Sequence, residues 1–206
     1  MDRDLGSTPF VKHSNLFTGN YRGEVLDNND PNKTGRIKVR VYPMMVGEDL
    51  TEDCIPWAIP AMPLWNGSSS GQGFLAVPKV GSYVWVFFEQ GDIYQPVYFA
   101  EAPDPTRGIP TLSAINYPNR KVATSSGGIT FVVDDTDDFA MVTTFNDLTV
   151  LIDNKNKLIG FYSKEGLEVS LDDVAKKLKF KYGPGSIEID SSGNVVVEGT
   201  TVSINP

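Results

Sequence analysis

The 206 residues contain a single cysteine, Cys54, and a single histidine, His13. One thiol forbids an intrachain disulfide framework and any multi-cysteine zinc site. One imidazole argues against zinc hydrolase chemistry, whose sites usually draw on two or three. No apolar run approaches the ~20 residues needed to span a bilayer as a helix, and the opening MDRDLGSTPF lacks the apolar core of a secretory signal. Basic residues are outnumbered, 18 against 26 acidic, for a formal net charge of −8; a nucleic-acid binder normally carries a basic face. Helical patterning is almost missing: the stretch Leu171–Lys179 could pass for a helical turn and reads equally as a hairpin loop. What the chain does have is 40% hydrophobic and 11% aromatic residues, enough to fill a core. At roughly 150 residues per domain, its length allows one large or two small domains.

Gly, Pro, Asn and Asp punctuate the sequence densely, and the apolar runs between them are short and rich in Val, Ile, Phe and Tyr, which predicts an all-β protein. Residues 1–19 form a polar arm without periodicity. Residues 20–103 hold strand candidates at Tyr21–Leu26, Arg36–Tyr42, Ser82–Glu89 and Pro96–Ala100. A fifth, Ile55–Met62, is interrupted by Pro56 and Pro60 and reads as a short or edge strand. Pro103, Pro105, Pro110 and Pro118 mark 104–127 as an extended linker. From 128 to 206, narrow alternating strands follow one another: Leu167, Val169 and Leu171; Leu178, Phe180 and Tyr182; Ile187 and Ile189; Val195 and Val197; Val202 and Ile204. Such regular short strands suggest a β-helix or solenoid whose rungs cover one another. About 80 residues of this kind bury too little surface alone, so the segment is expected to complete its walls from identical chains as an intertwined homotrimer.

Two motifs carry the most information. In the strand Tyr83-Val84-Trp85-Val86-Phe87-Phe88, Val84, Val86 and Phe88 share one face while Tyr83, Trp85 and Phe87 share the other. Both faces are apolar, so both should be covered. Upstream, in DPNKTGRIKVRV, Ile37, Val39 and Val41 point inward while Arg36, Lys38 and Arg40 line the outer face. Together with the Trp57 strand, Val77-Pro78-Lys79-Val80-Gly81, the VWVFFEQGD strand and its QPV end, these residues resemble the OB-fold domain of contractile-tail spike proteins. That family includes phage baseplate spikes, cell-puncturing needles and the valine–glycine repeat proteins of type VI secretion. The resemblance covers about residues 20–103. The C-terminal segment is similar to the family's trimeric β-helix more loosely, with Val197-Glu198-Gly199 its clear valine-x-glycine unit.

The resemblance implies an OB-fold barrel followed by a trimeric β-helix, acting as the central spike of a contractile injection system in the virion tail baseplate, assembled in the host bacterial cytoplasm. The barrel would dock on a ring-shaped hub protein and the spike would pierce the target cell's outer membrane, with no cofactor and no catalysis. Partner-binding candidates are Arg36, Lys38, Arg40, Tyr83, Trp85 and Phe87. The arm 1–19 is a further candidate clamp on the hub. Short spikes of the family often close their tip with a histidine-bound iron, yet no histidine follows His13. A separate small capping protein is therefore expected to cover the end around Val202, Ile204 and Pro206, unless the β-helix continues in a longer natural chain.

Other readings compete. An OB barrel can bind single-stranded nucleic acid through aromatic platforms and a basic groove, but residues 20–103 carry six basic against ten acidic side chains. The Arg36-Lys38-Arg40 stripe is open to three readings: a solvated strand face, a contact to an acidic patch, or a phosphate track. A hydrolase domain of the kind some family members carry does not fit within 104–127. Carboxylates such as Glu24 and Asp92 show no pairing in the sequence, and His13 lacks a scaffold for a triad. The run Asp134-Asp135-Thr136-Asp137-Asp138 reads as a solvated turn between Ile129–Val133 and Phe139–Thr143, or as an ion site shared by three copies. Phe139 stands where a calcium loop needs glycine. The loop Asn66–Gly73 lacks the Lys-Ser/Thr ending of a phosphate loop and reads as a flexible connection.

Overall fold

The computed structural model describes residues 16–45, 51–64, 71–104, 106 and 108–203. His13, most of the arm 1–19, most of the loop 66–73, and Ile204 and Pro206 of the expected tip lie outside the described residues. The chain divides into two compact units, Met1–Gly108 and Ile109–Pro206. Described strands and short 3-10 turns make up the regular structure, and among the described residues no helix is long and apolar enough to cross a membrane.

The first unit is a closed five-stranded barrel of β1 (Tyr21–Asp27), β2 (Ile37–Val41), β3 (Trp57–Pro60), β4 (Tyr83–Phe88) and β5 (Pro96–Glu101), ordered β1-β2-β3-β5-β4 and closing on β1. Pairing is antiparallel except between β3 and β5. The stretch Ile55–Met62 therefore yields a short strand, as its prolines predict, but one enclosed between β2 and β5 rather than at an edge. Closure removes edges, and Pro60 is tolerated because it ends β3, where the chain turns away. Period-2 alternation sends Val25, Ile37, Val39, Val41, Val84, Val86 and Phe88 into a core completed by Ile55, Ala58 and Tyr98. Phe17 and Tyr21 pack on Phe88 with ring centroids 5.8 and 5.7 Å away, closing the core beneath the Phe17 amide, which donates to the Gly91 carbonyl.

The loop entering β2 is organised by Asp30. Its carboxylate accepts from the Asn32 and Thr34 amides (3.0 and 2.8 Å), from the Arg36 amide, from Thr34 Oγ1 (2.7 Å), and from Arg36 Nε and Nη2 (3.1 and 2.6 Å). The Arg36 guanidinium holds this buried carboxyl well below the usual carboxylate range, aided by the Thr34 and Asn32 donors and opposed by burial. Tyr98 Oη reaches from β5 to donate to the Gly35 carbonyl at 2.6 Å, and burial pushes its phenol up to about 12. The DPNKTGR motif is thus a self-satisfied loop that fixes where β2 begins.

The second unit is a nine-stranded antiparallel sheet in strictly sequential order, β6 to β14. Its strands are β6 (Arg120–Thr124), β7 (Thr130–Asp134), β8 (Phe139–Thr143), β9 (Thr149–Asp153), β10 (Leu158–Tyr162), β11 (Leu167–Asp172), β12 (Lys177–Tyr182), β13 (Gly185–Asp190) and β14 (Val195–Glu198). The strands expected as rungs of an intertwined β-helix thus pair within one chain as a meander. Their connections are short hairpin turns, which join antiparallel neighbours, whereas parallel rungs need longer crossings. Leu171–Lys179 resolves as the end of β11, a turn and the start of β12. The stretch 104–127 holds a 3-10 turn at Thr111–Ala114 and the whole of β6. Its prolines stop at Pro118, leaving Arg120–Thr124 free to pair in full with β7.

Candidate functional site

Two surfaces stand out, one on each unit. On the barrel, strand parity turns Tyr83, Trp85 and Phe87 outward, each half-buried. Arg22 on β1 lies opposite Trp85 in the register and sets its guanidinium 5.5 Å from the Trp85 ring centroid. Glu24 lies opposite Tyr83 on one side and Arg40 on the other, and accepts from Tyr42 Oη at 3.2 Å. Phe87 meets Phe99 of β5 at 6.0 Å between centroids. The result is an aromatic band flanked by Arg22, Arg40 and Glu24, able to bury rings and pair charges of either sign against a partner.

The basic stripe is split by this arrangement. Arg36 is bound to Asp30 and lies 5.6 Å from the Trp57 centroid. Lys38 lies 5.4 Å from the same ring and donates to the Glu52 carbonyl at 2.8 Å. Both cations serve the barrel itself, while Arg40 sits on the surface that carries Tyr83 and Trp85. Sequence reading missed Arg22, Tyr42 and Phe99; parity in β1 carried a signal for Arg22, but Phe99 needed the β4–β5 pairing, which shifts between Trp85 and Val86.

In the sheet, register decides the faces. Val133, Ala140, Ile152, Ile159, Leu171, Leu178, Ile189 and Val195 align in one row across the strands, and Ala123, Phe131, Val142, Val150, Phe161, Val169, Phe180, Ile187 and Val197 in another. Both rows project from the same side of the pleat. Lys121 alone interrupts them, and its ammonium is paired with the Asp135 carboxylate. Phe131, Ile152, Phe161, Leu171, Phe180, Ile187 and Val197 are each more than two-fifths exposed. From strand spacing and rise, this face measures roughly 40 by 17 Å, larger than the apolar patch of a typical monomer.

The opposite side is mixed: Val122, Val132, Met141 and Leu151 align across its first strands, with Val132 fully buried, and polar pairs fill much of the rest. Threonines pair across strands, Thr130 to Thr124 at 3.2 Å and Thr149 to Thr143 at 3.0 Å. Lys179 bridges Glu168 (2.9 Å) and Glu188 (3.9 Å), and Lys177 meets Glu188 at 3.1 Å. The acidic run forms the β7–β8 turn, as its composition predicts, but Asp134 is buried rather than solvated. Burial pushes its carboxyl up. Donation from the Asp137 amide, Arg120, Asn116 and the Thr136 amide outweighs that and holds it below the ordinary range. Its oxygens are thus engaged by donors of the chain. Among the described residues no group of three or more His, Cys, Asp or Glu side chains is placed to hold a metal ion. Val202 is exposed beyond β14, with Ile204 and Pro206 outside the described residues.

Residues 21–101, the five barrel strands and their connections, match the model of the family described as the type VI secretion system/phage-baseplate injector OB domain. No curated protein matches the chain. The matched span begins and ends with the barrel, and the Asp30 loop, the Trp57 strand and the doubly apolar β4 all fall within it. Over these residues the barrel is similar to that injector OB domain, and the match supports the resemblance to baseplate spike proteins.

Proposed function

We propose that this protein is the central spike of a contractile injection system, a homotrimer that docks on a baseplate hub through its barrels and drives its sheet units into the target cell's outer membrane. The observation that carries the reading is the two-row apolar face of the sheet, joined in one chain to a barrel similar to the injector OB domain. A single sheet with one apolar side must cover it to be stable in water. Three copies with these faces turned inward make a closed prism whose outer side carries the threonine pairs and the lysine–glutamate ion pairs. Such a rigid body suits penetration, and the role requires neither catalysis nor cofactor.

The hub contact is assigned to Tyr83, Trp85, Phe87, Arg22 and Arg40, where aromatic anchors sit beside charges that steer encounter. The outer edge of β14, with Val195, Val196 and Val197 exposed, is where a small capping protein would fit, since open strand edges are normally covered. The test is co-expression with the hub protein followed by affinity co-purification. Trp85→Ala combined with Phe87→Ala should abolish capture while leaving the oligomeric state unchanged. Undiminished capture by the double variant would contradict the assignment. Single-stranded nucleic acid is the weaker reading, because Arg36 and Lys38 are spent on Asp30, Glu52 and Trp57 and the chain is net acidic.

A further inference from the structure

The sheet carries a repeat that its strand starts conceal. Ser125, Thr144 and Ser163 stand nineteen residues apart, and each hydroxyl accepts from the amide of Ile129, Leu148 or Leu167 four residues on. Gly128, Asp147 and Gly166, again nineteen apart, all take positive φ. On the other edge Asp134, Asp153 and Asp172 keep the same interval, and each carboxylate accepts a turn amide, from Asp137, Asn156 and Ala175 respectively. Asp138, Lys157 and Lys176 then adopt the left-handed conformation before β8, β10 and β12 begin. Every unit of nineteen residues thus contributes two strands, one hydroxyl-capped turn and one aspartate-capped turn. After β12 the interval shortens: Gly183 and Asp190 follow Gly166 and Asp172 by seventeen and eighteen residues.

We propose that the sheet is a length module, extended or shortened in steps of nineteen residues, each step moving its end by about 10 Å, two strand spacings. The step is set by register. A strand presents alternate side chains to alternate faces, so a slip of one residue exchanges the faces of everything downstream. Removing residues 158–176 joins Lys157 to Lys177 and sets Leu178 opposite Ile152 and Phe180 opposite Val150, which keeps the apolar rows intact. Removing 158–175 leaves one residue too many, and Lys177 and Lys179 enter the apolar face while Leu178 and Phe180 leave it. In the spike reading the number of units fixes the reach of the tip, but the register requirement stands without that reading.

Three full-chain variants test the proposal: deletion of 158–176, deletion of 158–175, and tandem duplication of 158–176. Each is compared with the parent for soluble yield, cooperative thermal unfolding and oligomeric state, with the longest dimension taken from small-angle X-ray scattering. At least one of the two nineteen-residue variants should match the parent in yield and oligomeric state, with its longest dimension about 10 Å shorter or longer, while the eighteen-residue deletion aggregates or fails to assemble. The proposal falls if the eighteen-residue deletion performs as well as the nineteen-residue one, or if both nineteen-residue variants fail as it does. Because each variant is scored against the parent, the outcome does not depend on the parent being a trimer.

Discussion

Asp30 shows how one side chain can organise a motif. Three backbone amides, a hydroxyl and a guanidinium converge on it, so the DPNKTGR sequence is a loop that supplies its own partners. Asp30 and Asp134 both sit below the ordinary carboxylate range in the folded chain. A carboxyl depressed by folding adds stability above its unfolded value, near pH 4, and loses it as the pH falls toward the folded value. Asp30→Asn should therefore lower the urea midpoint at neutral pH, and the gap to the parent should narrow as the pH drops below about 4. A gap independent of pH would mean that the carboxylate's charge is not what the loop uses. Gly23 is a second sensitive position. A Cβ there would strike Val39 and come within 3.0 Å of the Arg40 carbonyl oxygen, so Gly23→Ala is expected to cost roughly 1–3 kcal/mol by overpacking, measurable by chemical denaturation.

Strands were the most legible elements, because their alternation is written in the residues themselves. The parity that places Ile37, Val39 and Val41 inside and Tyr83, Trp85 and Phe87 outside is visible without coordinates. The fate of the basic stripe was not visible, since Trp57 and Asp30 had to be brought beside Arg36 and Lys38 by loop geometry and barrel closure. The sheet unit shows the same boundary. Alternation gave its strands, but unequal spacing between successive starts hid the nineteen-residue period, which appears when every second turn is compared. The linker reading of 104–127 followed its prolines and overlooked that Arg120–Thr124, lying after the last of them, pairs residue for residue with Thr130–Asp134. At this scale the apolar face gives a direct prediction. Phe161→Asp puts a charge in the middle of it, where a buried unpaired carboxylate costs several kcal/mol, and should abolish self-association. The same change at Lys181, on the charged side, should leave association intact. Equal behaviour of the two variants in size-exclusion chromatography would contradict the face assignment.

At the scale of the whole molecule, two demands must be met together: a barrel that satisfies its own core and a sheet that does not. The barrel closes on itself, and Ile37→Ala should cost about 2–5 kcal/mol there, as expected for a fully buried aliphatic side chain. The sheet leaves both apolar rows open, and association is the physical remedy. Everything proposed for the spike rests on that remedy being three copies of this chain. Sedimentation equilibrium on the full-length protein at micromolar concentration is the direct measurement. The account predicts one species at about three times the 22.6 kDa chain mass, with no folded monomer surviving dilution; a stable, folded species at the mass of a single chain would contradict it.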